Sequence, residues 1–525
     1  MKQIVSIILI LLIVFSLVPL AMSARTEREG FAVLGQASEL RDKAHNKAEL
    51  QEALKKYEEA LTIFDSAKSD RGRGQALSGI GEVWFHLGNY QKALESALEG
   101  LHLLTKAKNT YGEYVAANNV AVIYEKLADI KKALEYYLKA VEAARRLGHQ
   151  EEIGLALNNL GLAYYNSGQG NKALTCYEEA LAIHEKIGNV KEQATTLSNM
   201  GLIHADSRRF EDALIVYRKA LELASHIHDT ALEGTVLDNM GQLYQLAGEY
   251  DRALEWYEKA LNKRKEEGNP SRIGITLVNL GSMYNARGEY RQALQHFQQA
   301  LEIYEETQNL KEQASTLDNM GQVYDTLDEY DEALKLYERA LSLRRQSGDL
   351  LGEGITLNNM GLTHLHLKDT GKALEYLEES KHLIKKAGDV KELSTVLHNT
   401  AQLFENIDKW DKALECYGQI LEIQRQLQDE SEEAYVLSSI AAVFIQLERP
   451  DQALEHFEKA LAIHQKMGNL SEATDTLEEM AALYEKLGQK QKAQETMSRA
   501  KALRNQAEQV EVKPQGLGTA TREMK

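Results

Sequence analysis

The feature that most limits what this chain can fold into is its period. Alanine recurs every forty residues, at 53, 93, 133, 173, 213, 253, 293, 333, 373, 413, 453 and 493. That makes twelve copies in register with no insertion between them. One complete unit is the stretch NLKEQASTLDNMGQVYDTLDEYDEALKLYERALSLRRQSG, residues 309–348. A fixed period of this length marks a solenoid, because each unit is too small to bury its own apolar face and buries it against its neighbours. The length of 525 residues would otherwise suggest roughly three or four globular domains.

Within 154–193, Leu157, Leu160, Gly161 and Tyr164 fall on one helical face. Gly168 breaks that helix. A second one carries Ala173, Leu174, Tyr177, Ala180 and Leu181 on one face, and Gly188 sits where a left-handed stop is wanted. Asn189 follows as an N-cap, with Glu192 placed to complete a capping box. The same pairing recurs at Asn309/Glu312, Asp389/Glu392 and Asn469/Glu472. The expected fold class is therefore all-α, a right-handed α-solenoid of about twelve helix–turn–helix repeats. Gly161, Gly201, Gly241, Gly281, Gly321 and Gly361 on the first helices are expected where helices cross closely. Ala180, Ala220, Ala260, Ala300 and Ala340 do the same on the second helices, with the tyrosine columns filling the space beside them.

Cys176 and Cys416 occupy the same repeat position six units apart, too far for an intrachain disulfide. A net charge of −18 argues against nucleic acid, which wants a basic stripe, and permits a basic or neutral partner. At the start, Met1-Lys2 precedes an apolar run from Ile4 to Val18, then Pro19 and the small residues Ala21 and Ser23. Residues 1–24 thus read as a signal peptide or signal anchor. The expected location is exported, periplasmic or extracellular, or anchored to a membrane through this segment alone. The repeats occupy 34–509 and residues 510–525 read as a disordered tail. Gln494 and Lys501 replace apolar residues in the last copy, as suits a terminal cap.

The pattern Leu157, Leu160, Gly161, Tyr164, Ala173, Tyr177, Ala180 resembles the tetratricopeptide repeat, and the resemblance covers most of the chain. The usual unit has about 34 residues; these forty-residue units look like the long-helix arrays of kinesin light chains and of bacterial multi-repeat proteins. The resemblance implies a right-handed superhelix whose first helices line a concave groove for peptides or partner helices.

Asparagine occupies 119, 159, 199, 239, 279, 319, 359 and 399. It is a mediocre residue for a helix interior, roughly half a kcal/mol or more worse than alanine, so eight in line call for an offset. The column just before has drifted: Asn118, Asn158, Ser198, Asp238, Val278, Asp318, Asn358, His398. The resemblance puts Asn119, Asn159, Asn199, Asn239, Asn279, Asn319, Asn359 and Asn399 on the groove wall, where each amide offers a donor and an acceptor to an extended peptide. The competing reading is an asparagine that bonds the adjacent helix within the scaffold. Positions that face inward in the family hold Glu82, Glu125, Asp206, Asp238, Asp318, Asp325 and Glu405, opposed by Lys126 and Lys486. They imply a partner with Lys or Arg rather than a gripped carboxyl terminus.

Catalytic signals are weak. Gly168 to Lys172 lacks the spacing of a phosphate loop. His364 and His366, with His382 nearby, form a poor metal constellation. No enzyme activity, cofactor or metal is expected. The function expected is a protein-interaction scaffold that binds a peptide or partner protein in its concave groove, a basic one fitting the acidic positions better. The alternatives are a regulatory or targeting subunit of an enzyme complex, or a self-assembling structural protein.

Overall fold

The structure, a computed structural model, describes residues 26–44 and 46–511, with side chains as far as 506. The expected signal segment 1–24 lies outside the described residues, as does nearly all of the expected tail 510–525. Among the described residues every regular element is a helix, the first over 26–42 and the last Lys490–Glu511. The helical pairs therefore begin ahead of Leu34. No described helix is long and apolar enough to cross a membrane.

First helices start every forty residues, from Asp70–His86 through Leu310–Thr326 to Leu470–Lys486, each 17 residues long. Their starts are chemically fixed. Asn189, Asn309 and Asp389 accept a hydrogen bond from the backbone N–H of Glu192, Glu312 and Glu392, satisfying a donor that the helix leaves unpaired. Asn469 differs from expectation: it stands at the N-cap position but makes no capping bond. Second helices start without such a cap at Glu249, Glu289, Glu329 and Lys409. Their starts follow instead from the turn before them, which holds one residue at positive φ: Gly248 or Gly288 in some repeats, Asp328 or Asp408 in others.

The chain divides into two compact units, Met1–Ala247 and Gly248–Lys525. Within each, a helix packs on the one before it and the one after it. Within each unit buried clusters span more than one repeat. In the first unit one buried cluster runs from Ala93 to Ala180, and in the second another runs from Leu397 to Ala500.

The glycine column has a more specific cause than close helix crossing. A Cβ on Gly321 would stand 2.5 Å from the ring of Tyr337, and on Gly201 or Gly161 it would meet Tyr217 at 2.3 Å or Tyr177 at 2.7 Å. In these repeats, and at Gly281 with Phe297, the aromatic ring of the second helix thus lies directly on the glycine of its own first helix. Those rings are almost fully buried, as is the alanine column at 180, 220, 260, 300 and 340. Each buried ring contributes on the order of 2–3 kcal/mol, offset largely by chain entropy, so stability comes from stacking.

Candidate functional site

The first helices are nearly enclosed, and what they leave open is a stripe. Along Leu310–Thr326, Lys311, Ser315, Asn319, Gln322 and Thr326 are exposed or half-buried at a spacing of four, four, three and four, on one helical face, with Glu312, Tyr324 and Asp325 beside them. The asparagine column sits within this stripe, and all eight members are half-buried.

Four of the eight are tied to the neighbouring first helix. The amide nitrogens of Asn159, Asn239 and Asn399 donate to Asn118 Oδ1 (2.8 Å), Ser198 Oγ (3.0 Å) and Asn358 Oδ1 (2.8 Å). Asn119 donates to Glu82 Oε1 at 2.5 Å. The three partners at 118, 198 and 358 belong to the drifting column, one repeat and one residue earlier. The other four, Asn199, Asn279, Asn319 and Asn359, make no side-chain hydrogen bond among the described residues; the Asn359 amide nitrogen is enclosed without a partner. The reading in which the asparagine bonds the adjacent helix therefore holds for four members and not for the other four.

The acidic positions are mostly engaged inside the scaffold. Glu82 pairs with Arg41 as well as Asn119. Glu125 and Glu405 each accept a bond from a tyrosine twelve residues on, Tyr137 and Tyr417, both at 2.9 Å. Asp206 accepts from Tyr165 at 2.6 Å, and Asp325 pairs with His366 at 3.0 Å. Asp238 also has an interaction partner. Asp318 is buried, not groove-facing: its Oδ2 takes Arg344 at 2.6 Å and Thr356 at 3.0 Å, while Oδ1 has no partner. Burial pushes its carboxyl up to about 6 against the pull of Arg344. Glu82 and Asp318 are thus paired with arginines, whereas the tyrosine hydroxyls on Glu125, Asp206 and Glu405 bring no compensating charge.

A further column had no place in the sequence reading. His184, Tyr304, Arg344 and Ile384 are bulky, and thirty residues before them stand Gly154, Gly274, Ala314 and Gly354. A Cβ on Gly154 or Gly274 would meet the His184 imidazole at 2.5 Å or the Tyr304 ring at 2.6 Å. Compensating sizes at a fixed thirty-residue offset were the available signal.

Other candidate groups are accounted for by packing. His364 is buried and stacks on Tyr376 at 5.4 Å, and burial holds its imidazole below the usual range. No group of three or more metal-ligating side chains occurs among the described residues. Cys176 and Cys416 are free, and burial raises both thiols to about 11, so neither is a thiolate nucleophile near neutral pH.

A model of the tetratricopeptide repeat matches residues 113–186, 192–266 and 272–346. These three stretches are tetratricopeptide repeats. The array also matches a model of the soluble NSF attachment protein, SNAP, over 385–515. Solved structures similar to it include BtubC (BKLC) from P. vanneervenii, at 26% identity and TM-score 0.36, covering 42% of this chain and 90% of that one. Yeast Tom70 matches at 16% identity and TM-score 0.41, covering 83% and 96%. Aspartyl phosphate phosphatase F from Bacillus subtilis matches at 18% and 0.43, covering 66% and 93%. No curated protein matches the chain. Tetratricopeptide arrays are generally non-catalytic scaffolds for contacts between proteins, and the neighbour-to-neighbour core found here is of that kind.

Proposed function

We propose that this tetratricopeptide array is a non-catalytic scaffold that receives an extended segment of another polypeptide along the solvent stripe of its first helices. The observation that carries this reading is the asparagine column, which places an amide at the same point of the stripe in repeat after repeat. Packed helices lie about 8–10 Å apart and an extended strand rises about 3.3 Å per residue. One amide then meets roughly every third residue of the guest, and recognition falls on backbone groups rather than on side chains. Glu82 and Asp318 are paired with arginines, so a basic guest gains from the remaining acids and from the overall charge of −18, an attraction that salt screens. In this reading the apolar start exports the scaffold or anchors it to a membrane, so the guest is met outside the cytoplasm.

The test is photo-crosslinking with a pool of random twelve-residue peptides. A crosslinker in place of Gln322, on the stripe, should capture peptide; one in place of Glu338, exposed on a second helix, should not. Capture from Glu338 alone would overturn the assignment.

A further inference from the structure

The asparagine column divides four against four, and the residue three positions earlier divides it the same way. The tied members Asn119, Asn159, Asn239 and Asn399 follow Ala116, Ala156, Val236 and Val396; the untied members Asn199, Asn279, Asn319 and Asn359 follow Thr196, Thr276, Thr316 and Thr356. Three repeats make a controlled comparison, because the acceptor is an asparagine in each. With Ala156, Asn159 donates to Asn118; with Val396, Asn399 donates to Asn358. With Thr196, the hydroxyl lies 3.0 Å from the acceptor Asn158 Oδ1 and 2.7 Å from Glu192 O, sharing its proton between them, and Asn199 does not bond Asn158. Thr356 donates to Asp318 Oδ2 at 3.0 Å, the oxygen that Arg344 also takes, while Asp318 Oδ1 and the Asn359 amide nitrogen both stay unpartnered. Thr316 faces a repeat in which the acceptor position holds Val278, and its hydroxyl turns to Glu312 O at 2.7 Å; there Asn319 has nothing to bond.

The physical cause is a competition at one site. Residues three apart on a helix lie on the same face, so both donors reach toward the same acceptor on the neighbouring helix. The four threonines are buried, and a short β-branched side chain is held in few rotamers, so its hydroxyl loses little freedom in forming the bond. The asparagine, nearer solvent, then keeps its amide open to water.

We infer that a threonine three residues before a column asparagine, as Thr196 is before Asn199, acts as a positioning residue that takes the neighbouring acceptor and releases the amide for a guest; Asn319 is open for want of an acceptor, so Asn199 in the first unit and Asn279 and Asn319 in the second are the rungs a bound polypeptide meets. Asn359 is released from the scaffold too, but its amide nitrogen stays enclosed. The inference rests on the groove reading proposed above and makes it specific: tied rungs hold the scaffold, and open rungs hold the guest.

The experiment uses the full chain and two near-isosteric exchanges in opposite senses. Thr196→Val should let Asn199 donate to Asn158, slow hydrogen exchange of the Asn199 side-chain amide, and weaken retention of the random twelve-residue peptide pool in the first unit by about 2–10-fold, the worth of one net hydrogen bond. Val396→Thr should free Asn399, speed exchange of its amide and strengthen retention by a similar factor. Side-chain exchange that does not change in either variant would overturn the competition. Exchange that changes as expected while retention stays level would overturn the role in binding, yet leave the groove reading intact. A wild-type chain that retains no peptide would remove the groove reading and this inference together.

Discussion

Replacing Asp318 with asparagine substitutes a neutral amide for a buried ionisable group and asks whether burial or ion pairing governs it. The carboxyl is only 4% exposed, with Arg344 at 2.6 Å and Thr356 at 3.0 Å. Desolvation nevertheless outweighs both partners, and the folded group titrates at about 6 rather than at its ordinary 3.8. Between those values the folded chain holds a proton that the unfolded chain has released. The group's contribution is therefore intact below pH 4 and falls as pH rises towards 6. A displacement of about two units, at 1.36 kcal/mol each, makes the loss roughly 3 kcal/mol. Repeat arrays need not unfold in one step, so the readout should be local: hydrogen exchange of the helix Leu310–Thr326, corrected for its intrinsic pH dependence. From pH 4 to pH 7 the wild type should lose about 3 kcal/mol of protection relative to Asp318→Asn. A difference that stayed flat, or moved in favour of the wild type as pH rose, would show that Arg344 dominates and would refute the reasoning.

Two other predictions follow from the packing. Gly321→Ala drives a methyl against the Tyr337 ring and should cost about 1–3 kcal/mol despite alanine's better helix propensity; a rise in melting temperature would contradict the ring-on-glycine contact. At the turns, Ala128→Gly should raise the melting temperature, because alanine there sits at φ 59° at a cost of roughly 1–2 kcal/mol, whereas Gly288→Ala, at φ 76° with open space around it, should lower it through conformation alone.

The architecture was legible because it repeats. Ala173, Tyr177 and Gly161 announce the paired helices, and the caps at Asn189 and Asn309 mark their starts. Side-chain pairing was less legible, since it crosses between repeats at offsets that no local pattern displays. Asn159 reaches Asn118 across 41 residues, Thr196 reaches Asn158 across 38, and Arg344 reaches Asp318 across 26. Asp318 reads in isolation as one more acid on a polar helix face; only the buried Arg344 of the following helix explains why it turns inward. Asn469 shows the opposite limit. Its position as a cap was readable, but whether its side chain makes the bond depends on local geometry.

The most direct test of the central claim compares two double variants in calorimetric titration against a retained twelve-residue peptide that crosslinks through Gln322. Asn279→Ala with Asn319→Ala removes two open rungs and should weaken binding by about 1–3 kcal/mol with little change in melting temperature. Asn159→Ala with Asn399→Ala removes two tied rungs and should lower the melting temperature while leaving affinity within about twofold. Equal losses of affinity in the two, or a loss confined to the tied pair, would contradict the account.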